Sequence, residues 1–213
     1  MDTRPWIEAA GALLDLAGVV SIVAGVLLAT GRRPFLEGLN LEAAGVAMVT
    51  VHGRTREQGY KGQAEYETVA AVKAALGIPV VANGDIDSPE KALAVLQATG
   101  ADAVMIGRAA QGRPWLVGDI AHALATGSSR PAPDMPTRGA LAREHLDGLL
   151  TLMGAEAGLR HARKHLAAYA QHHAKPDCFD EAQRLALLTG TNPNEVRALL
   201  SAAFTNAAEK EAA

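Results

Sequence analysis

Residues 78–115, IPVVANGDIDSPEKALAVLQATGADAVMIGRAAQGRPW, decide how the chain is read. Pro79-Val80-Val81-Ala82 is a short apolar run of the kind that forms a strand buried on both faces. Asn83-Gly84-Asp85 ends the run, and its glycine lets the backbone approach a ligand closely. Ser88 suits an N-cap, Pro89 the first helical position, and Glu90 the positive end of the helix dipole. Ala92, Leu93, Val95 and Leu96 then recur at helical spacing until Gly100 stops the helix. Ala103-Val104-Met105-Ile106 is the next apolar run, and it closes on Gly107-Arg108. This order predicts a βαβ unit with a polar, glycine-bearing loop after each strand. Parallel strands gather such loops at their C-terminal ends, where α/β proteins place binding sites.

Upstream, Val46–Val51 is another apolar strand, ending at His52-Gly53-Arg54-Thr55. After the polar loop REQGYKGQAEY, a helix is expected from about Tyr66 to Leu76, burying Val69, Val72 and Leu76. Residues 46–108 therefore read βαβαβ. Downstream the pattern is helical throughout. Leu116–Thr126 is one helix, and the Pro-rich stretch Gly127–Pro136 is the best domain boundary. Thr137–Met153 is a helix with a stripe of Leu141, His145, Leu146, Leu149 and Leu152. Ala155–His173 and Phe179–Leu188 follow. The last helix is capped by Asn192 and turns Val196, Leu199, Leu200 and Phe204 inward.

The chain has 213 residues, 49% hydrophobic and 20% charged, which predicts a largely globular protein of one large domain or two small ones. A net charge of -3 excludes an all-over basic nucleic-acid binder but leaves room for a local basic patch. The single cysteine, Cys178, excludes an internal disulfide framework and a Cys-rich zinc site. Acidic neighbours, Asp177 and Asp180, would not activate it. Residues 9–30, AAGALLDLAGVVSIVAGVLLAT, carry one charge, Asp15, and an Ala-Gly pair every seven residues. On a helix those pairs form a small-residue seam, so a membrane-associated helix and a buried or partner-covered soluble helix both stand as readings.

Gly107-Arg108 together with Asn83-Gly84-Asp85 has what a phosphate needs, namely backbone N–H groups beside glycine and one guanidinium. Two ordinary tight turns and a surface arginine would read the same way by spacing alone. His52, also at a strand end, is expected to point into the same mouth, as a ligand contact or as a structural residue. His161 and His165 stand at the i, i+4 spacing that can bind metal, but no third ligand is apparent, so no metal is expected. Arg160, Arg163 and Lys164 beside them fit either RNA phosphates or a solvated charged face.

Four segments together resemble the tRNA-dihydrouridine synthases, flavin enzymes with a (β/α)8 barrel and a C-terminal helical domain. They are VTVHGRTREQGYKGQAEY (50–66), IPVVANGDIDSPEKA (78–92), GADAVMIGRAAQGRPW (100–115) and ARKHLAAY (162–169). The resemblance runs from about Leu41 to Phe204 and begins just before the family's sixth barrel strand. It implies an α/β fold: a partial TIM-type barrel of about three parallel strands, followed by an all-α domain. It divides the chain into an apolar helix and linker (1–40), the C-terminal part of an FMN-binding barrel (41–127) and a helical tRNA-binding domain (128–213). By resemblance, His52, Asn83, Gly84, Asp85, Gly107 and Arg108 bind FMN, and Arg54, Arg163, Lys164 and His165 contact RNA. NADPH is the reductant, and tRNA uridine is reduced to 5,6-dihydrouridine.

The family's first five strands, its flavin-covering Pro-Met-Ala-Gly turn and its Asn-x-Gly-Cys-Pro segment find no match in this sequence. No catalytic residue is assigned, and Cys178 lies in the wrong region for the family's acid. The resemblance thus implies an FMN-dependent oxidoreductase whose chain looks truncated, so that its activity alone is left open, with a non-catalytic FMN-, phosphate- or RNA-binding fragment, membrane-tethered or not, as the alternative. Three parallel strands leave open edges, to be covered by a partner chain or by the N-terminal helix. A cytoplasmic location follows from the family, and a membrane-associated one from residues 9–30.

Overall fold

In a computed structural model, the described residues are Leu41, 45–55, 57–58, 61–174 and 179–211, with side chains described to Thr205. The apolar stretch 9–30, the linker to Asn40 and Cys178 lie outside them, so the expectations on those segments are not addressed. Among the described residues, no helix is long and apolar enough to cross a membrane.

The elements follow in the order β1 (Val49–His52), α1 (Glu67–Ala75), β2 (Val80–Asn83), α2 (Pro89–Thr99), β3 (Ala103–Met105), α3 (Trp115–Thr126), α4 (Met135–His173), α5 (Glu181–Thr189) and α6 (Pro193–Glu211). A 3-10 turn at Arg108–Ala110 separates β3 from α3. The chain divides into two compact units. The first ends at Ala109 and also takes in Leu116–Ser129; the second joins Ala110–Trp115 to everything from Arg130 onward.

The first unit is built on a three-stranded parallel sheet in the order β1-β2-β3. This is the strand arrangement of part of a (β/α) barrel. The crossover helix α2 starts and stops where its residue types require. The Ser88 side chain accepts the Lys91 N–H at 3.1 Å, and Gly100 adopts the left-handed conformation (φ 66°). Val49, Val51, Val80 and Ala82 turn one sheet face into a core with Val69, Val72, Ala92 and Val95 of the two helices. The opposite face is only partly covered. Ala103 and Met105 of β3 are exposed, where the sequence predicts a strand buried on both sides. Leu93, expected on the buried side of α2, is exposed as well.

The second unit is helical. Helix α4 is longer than expected at its start, because Asp134 caps it through the Thr137 N–H (2.9 Å) and Pro136 sits in the first turn, where its missing N–H costs nothing. Gly154 breaks the helix with φ 76° and ψ 171°, a backbone region essentially confined to glycine. The two arms close tightly against each other: a Cβ on Gly158 would lie 2.9 Å from the Leu149 carbonyl oxygen. Leu152, read as part of the buried stripe, stands at the end of the first arm and is 84% exposed. Tyr169, Phe179, Leu187, Val196, Leu200 and Phe204 form the core with the inner residues of the two arms.

Four histidines of this unit carry depressed pKa values. Burial lowers that of His145; burial, then the charges of His145 and Lys164, lower that of His165. Burial comes first for His172 and His173 too, with Arg113 adding to both. A histidine held neutral in the fold is protonated first in the unfolded chain, near its ordinary value of about 6.5, so stability is lost as pH falls below that point. The urea midpoint of the helical transition should therefore drop between about pH 7.5 and 5.5. An unchanged midpoint would mean that these rings are as well solvated folded as unfolded.

Candidate functional site

The parallel register brings the ends of the strands into one row. His52 pairs with Asn83, and Asn83 with Met105. Side chains alternate along a strand, so these three share the sheet face opposite the core residues Val51, Ala82 and Val104. The Asn83 Nδ2 donates to the Met105 carbonyl at 2.7 Å, tying the ends of β2 and β3 together and leaving its Oδ1 as a free-facing acceptor type. Met105, 48% exposed, belongs to this row and was not singled out by sequence. Its signal was parity: it lies two residues before Gly107, on the same side as Ala103.

Beyond the row, a strap of residues 62–66 crosses the strand ends. Gly53 donates to the Asn83 carbonyl at 2.9 Å and accepts from the Glu65 N–H at 2.7 Å. Ala64 N–H donates to Asp85 Oδ2 at 2.8 Å, and the Tyr66 hydroxyl donates to the Gly84 carbonyl at 2.7 Å. Gly84 has φ 127°, and a Cβ there would meet Ala64 Cβ at 2.8 Å and His52 Nδ1 at 3.1 Å. The close approach that sequence expected at Gly84 is thus to the strap and to His52. His52 Nδ1 is buried without a hydrogen-bond partner among the described residues.

Arg54 is placed differently from an RNA contact. It is 7% exposed, and its Nη2 donates to Asp85 Oδ2 at 2.6 Å and to the Gly62 carbonyl at 2.8 Å. A guanidinium engaged in this way inside the unit is not displayed to a phosphate backbone. Partial burial works to raise the Asp85 pKa, but the Ala64 N–H, the Arg54 bond and the charges of Arg54 and Arg108 together hold it below the ordinary carboxylate value. Gly107 stands in open space and Arg108 is exposed at the start of the 3-10 turn.

In the helical unit, Arg160, His161, Arg163 and Lys164 are all exposed, while Leu159, Ala162 and Leu166 between them are buried. The cluster is therefore one outer face of the second arm of α4. His165 is half-buried and packs its ring 4.5 Å from that of His145 on the first arm. It does not pair with His161, and among the described residues no group of three or more His, Cys, Asp or Glu could hold a metal. His145 Nδ1 lies 3.2 Å from the hydroxyl of Tyr169, whose pKa burial pushes up to about 12.

The Gln111-Gly112-Arg113-Pro114-Trp115 segment reads as part of the loop after β3, yet it packs on α4. His173 Nε2 donates to the Gly112 carbonyl at 2.8 Å, and the Trp115 and His173 rings lie 5.4 Å apart. A Cβ on Gly112 would stand 2.6 Å from the Ala168 carbonyl oxygen.

Comparison with known proteins adds to this geometry. Residues 38–208 match the family model described as dihydrouridine synthase (Dus). The chain is 59% identical over 135 residues to tRNA-dihydrouridine synthase B of Xanthomonas axonopodis pv. citri, covering 63% of the chain and 41% of that protein. The same-named protein of Pseudomonas aeruginosa is 55% identical over 128 residues (60% and 39%), and that of Vibrio cholerae 49% over 138 residues (65% and 43%). The chain thus spans about two-fifths of the length of the curated relatives it matches.

Proposed function

Because the chain belongs to the dihydrouridine synthase family, we propose that it takes part in reducing uridine to 5,6-dihydrouridine in tRNA. In this reading its strand-end loops hold the phosphate end of FMN and its helical unit meets the RNA. The observation that carries the reading is the alignment of His52, Asn83 and Met105 in one row. Gly107 and Arg108 follow directly after β3.

The residues present fit such a cofactor. Gly107 leaves room for a phosphate oxygen to approach the backbone. Arg108 supplies a planar, permanently charged guanidinium suited to bidentate phosphate contact. Asn83 offers its remaining carbonyl oxygen to a ligand N–H. Met105 presents a polarizable apolar side chain beside it, of a kind that packs well on a flat ring. FMN, when bound, supplies the hydride chemistry, with NADPH as the reductant.

The outer face of α4 supports the RNA half of the proposal. Arg160, Arg163 and Lys164 display three cations within about one and a half helical turns, on a chain whose net charge is negative. The proposed substrate puts the chain in the cytoplasm.

The test is direct. The purified chain should bind FMN and turn yellow, and Arg108→Ala should weaken that binding by about 1.5–3 kcal/mol, the usual worth of a hydrogen bond to a charged group. A chain that stays colourless at saturating FMN sinks the cofactor assignment. An Arg108→Ala variant that binds as well as wild type removes Arg108 from it.

A further inference from the structure

An acidic residue at a phosphate site needs explaining. Asp85 sits in the loop after β2, near enough to Arg108 for the two charges to interact. Left facing a phosphate, its carboxylate would repel the ligand. The structure turns it away: Oδ2 takes the Arg54 Nη2 and the Ala64 N–H together, at 2.6 and 2.8 Å.

The arrangement is costly unless it serves the loop. Arg54 is a buried cation whose Nε and Nη1 find no hydrogen-bond partner among the described residues. A guanidinium with unmet donors in the interior is unfavourable, and the carboxylate at 2.6 Å is what offsets its charge. Asp85 itself has φ 47°, a conformation uncommon outside glycine though within reach of aspartate. Two residues at positive φ in succession, Gly84 and Asp85, are therefore held in place by contacts from outside the loop.

Tyr66 supplies the other half of the clamp. Its hydroxyl holds the Gly84 carbonyl at 2.7 Å, and the Lys91 Nζ lies 5.0 Å from its ring centroid, bracing it from α2. In a planar trans peptide the carbonyl and the next N–H point to opposite sides. Fixing the Gly84 carbonyl toward Tyr66 thus aims the Asp85 N–H away from the strap.

We propose that Arg54 is a positioning residue of the anion site. It neutralises Asp85 and, together with Tyr66, holds the Gly84–Asp85 peptide so that its N–H faces the bound phosphate. This rests on the reading of the strand-end loops as the phosphate site of FMN.

The experiment measures FMN and riboflavin affinities of the full chain side by side, since riboflavin has the same ring and no phosphate. Arg54→Gln should weaken FMN about thirtyfold, by loss of a charge-assisted contact that neutralises a carboxylate, and leave riboflavin nearly unchanged. Arg54→Gln/Asp85→Asn should regain most of the FMN loss, because the uncompensated charge is gone. A variant that loses both flavins alike, without regain in the double substitution, overturns the proposal in favour of a purely structural arginine. So does an Arg54→Gln chain that binds FMN like wild type. Should Arg54→Gln fail to fold, Tyr66→Phe removes one hydroxyl and should still cost about tenfold on FMN relative to riboflavin; an unchanged ratio counts against the clamp. A wild-type chain with no preference for FMN over riboflavin overturns the phosphate reading itself. Weakening by Arg108→Ala with no effect of Arg54→Gln overturns only the role of Arg54.

Discussion

Gly53→Ala is expected to destabilise the first unit by about 3 kcal/mol, at the upper end of what overpacking costs. The added Cβ would stand 2.2 Å from the Glu65 carbonyl oxygen and 3.1 Å from Ala64 Cβ. The first obstacle is backbone, so no side chain can rotate to relieve it. It is also backbone held in place, because Glu65 N–H donates to the Gly53 carbonyl and Gly53 N–H to that of Asn83. Relief requires the strap to lift off the strand ends. That movement takes away the Ala64 N–H from Asp85 and the Tyr66 hydroxyl from Gly84. On the proposed reading of the strand-end loops, the variant should therefore lose flavin binding along with stability. A urea midpoint lowered by about 1–2 M is the expected reading for a unit of this size. An unchanged midpoint would show that the strap does not lie against β1 as described.

Phe204→Ala should cost the helical unit about 3–5 kcal/mol, the usual range for removing a buried phenyl group. Phe204 is 3% exposed, and its ring lies 5.2 Å from His173 and 6.2 Å from Tyr169. Gly139 approaches it so closely that a Cβ there would be 3.1 Å from Phe204 Cβ. The neighbours are helix backbone and ring side chains already in contact, and they cannot collapse into the space vacated. Chemical denaturation followed by far-UV circular dichroism reads the loss. A cost below about 1 kcal/mol would mean that the helices repack around the gap.

Local chemistry made the βαβ core legible. Ser88, Pro89 and Gly100 mark the ends of α2 because capping and left-handed backbone depend on residues next to each other in sequence. His52 ends its strand, as the sequence indicates, and the register sets it beside Asn83. What stayed hidden depended on partners far along the chain. Arg54 is expected, by resemblance, to contact RNA, and nothing local in the sequence points to its ion pair with Asp85, 31 residues away. The QGRPW segment reads as a barrel loop until Gly112 meets Ala168 and His173. Leu152 fits a buried stripe by spacing, but position at the end of an arm, which spacing does not record, leaves it exposed. Met105 looks like the core of a strand because an apolar run says nothing about whether both sheet faces are covered.

The break at Gly154 also bears on the order in which the chain acquires its structure. Its two arms meet across a one-residue reversal, so the contacts of His145 with His165 and Tyr169 close loops of only 20–24 residues. Short loops lose little chain entropy on closure, and units rich in local contacts fold fast. The parallel sheet has no such shortcut, since each strand must wait for a helical crossover before it meets its neighbour. The hairpin is thus placed to form first and to serve as the nucleus of the helical unit. Substitutions in its arms should slow refolding, whereas those in the sheet should not change this early phase.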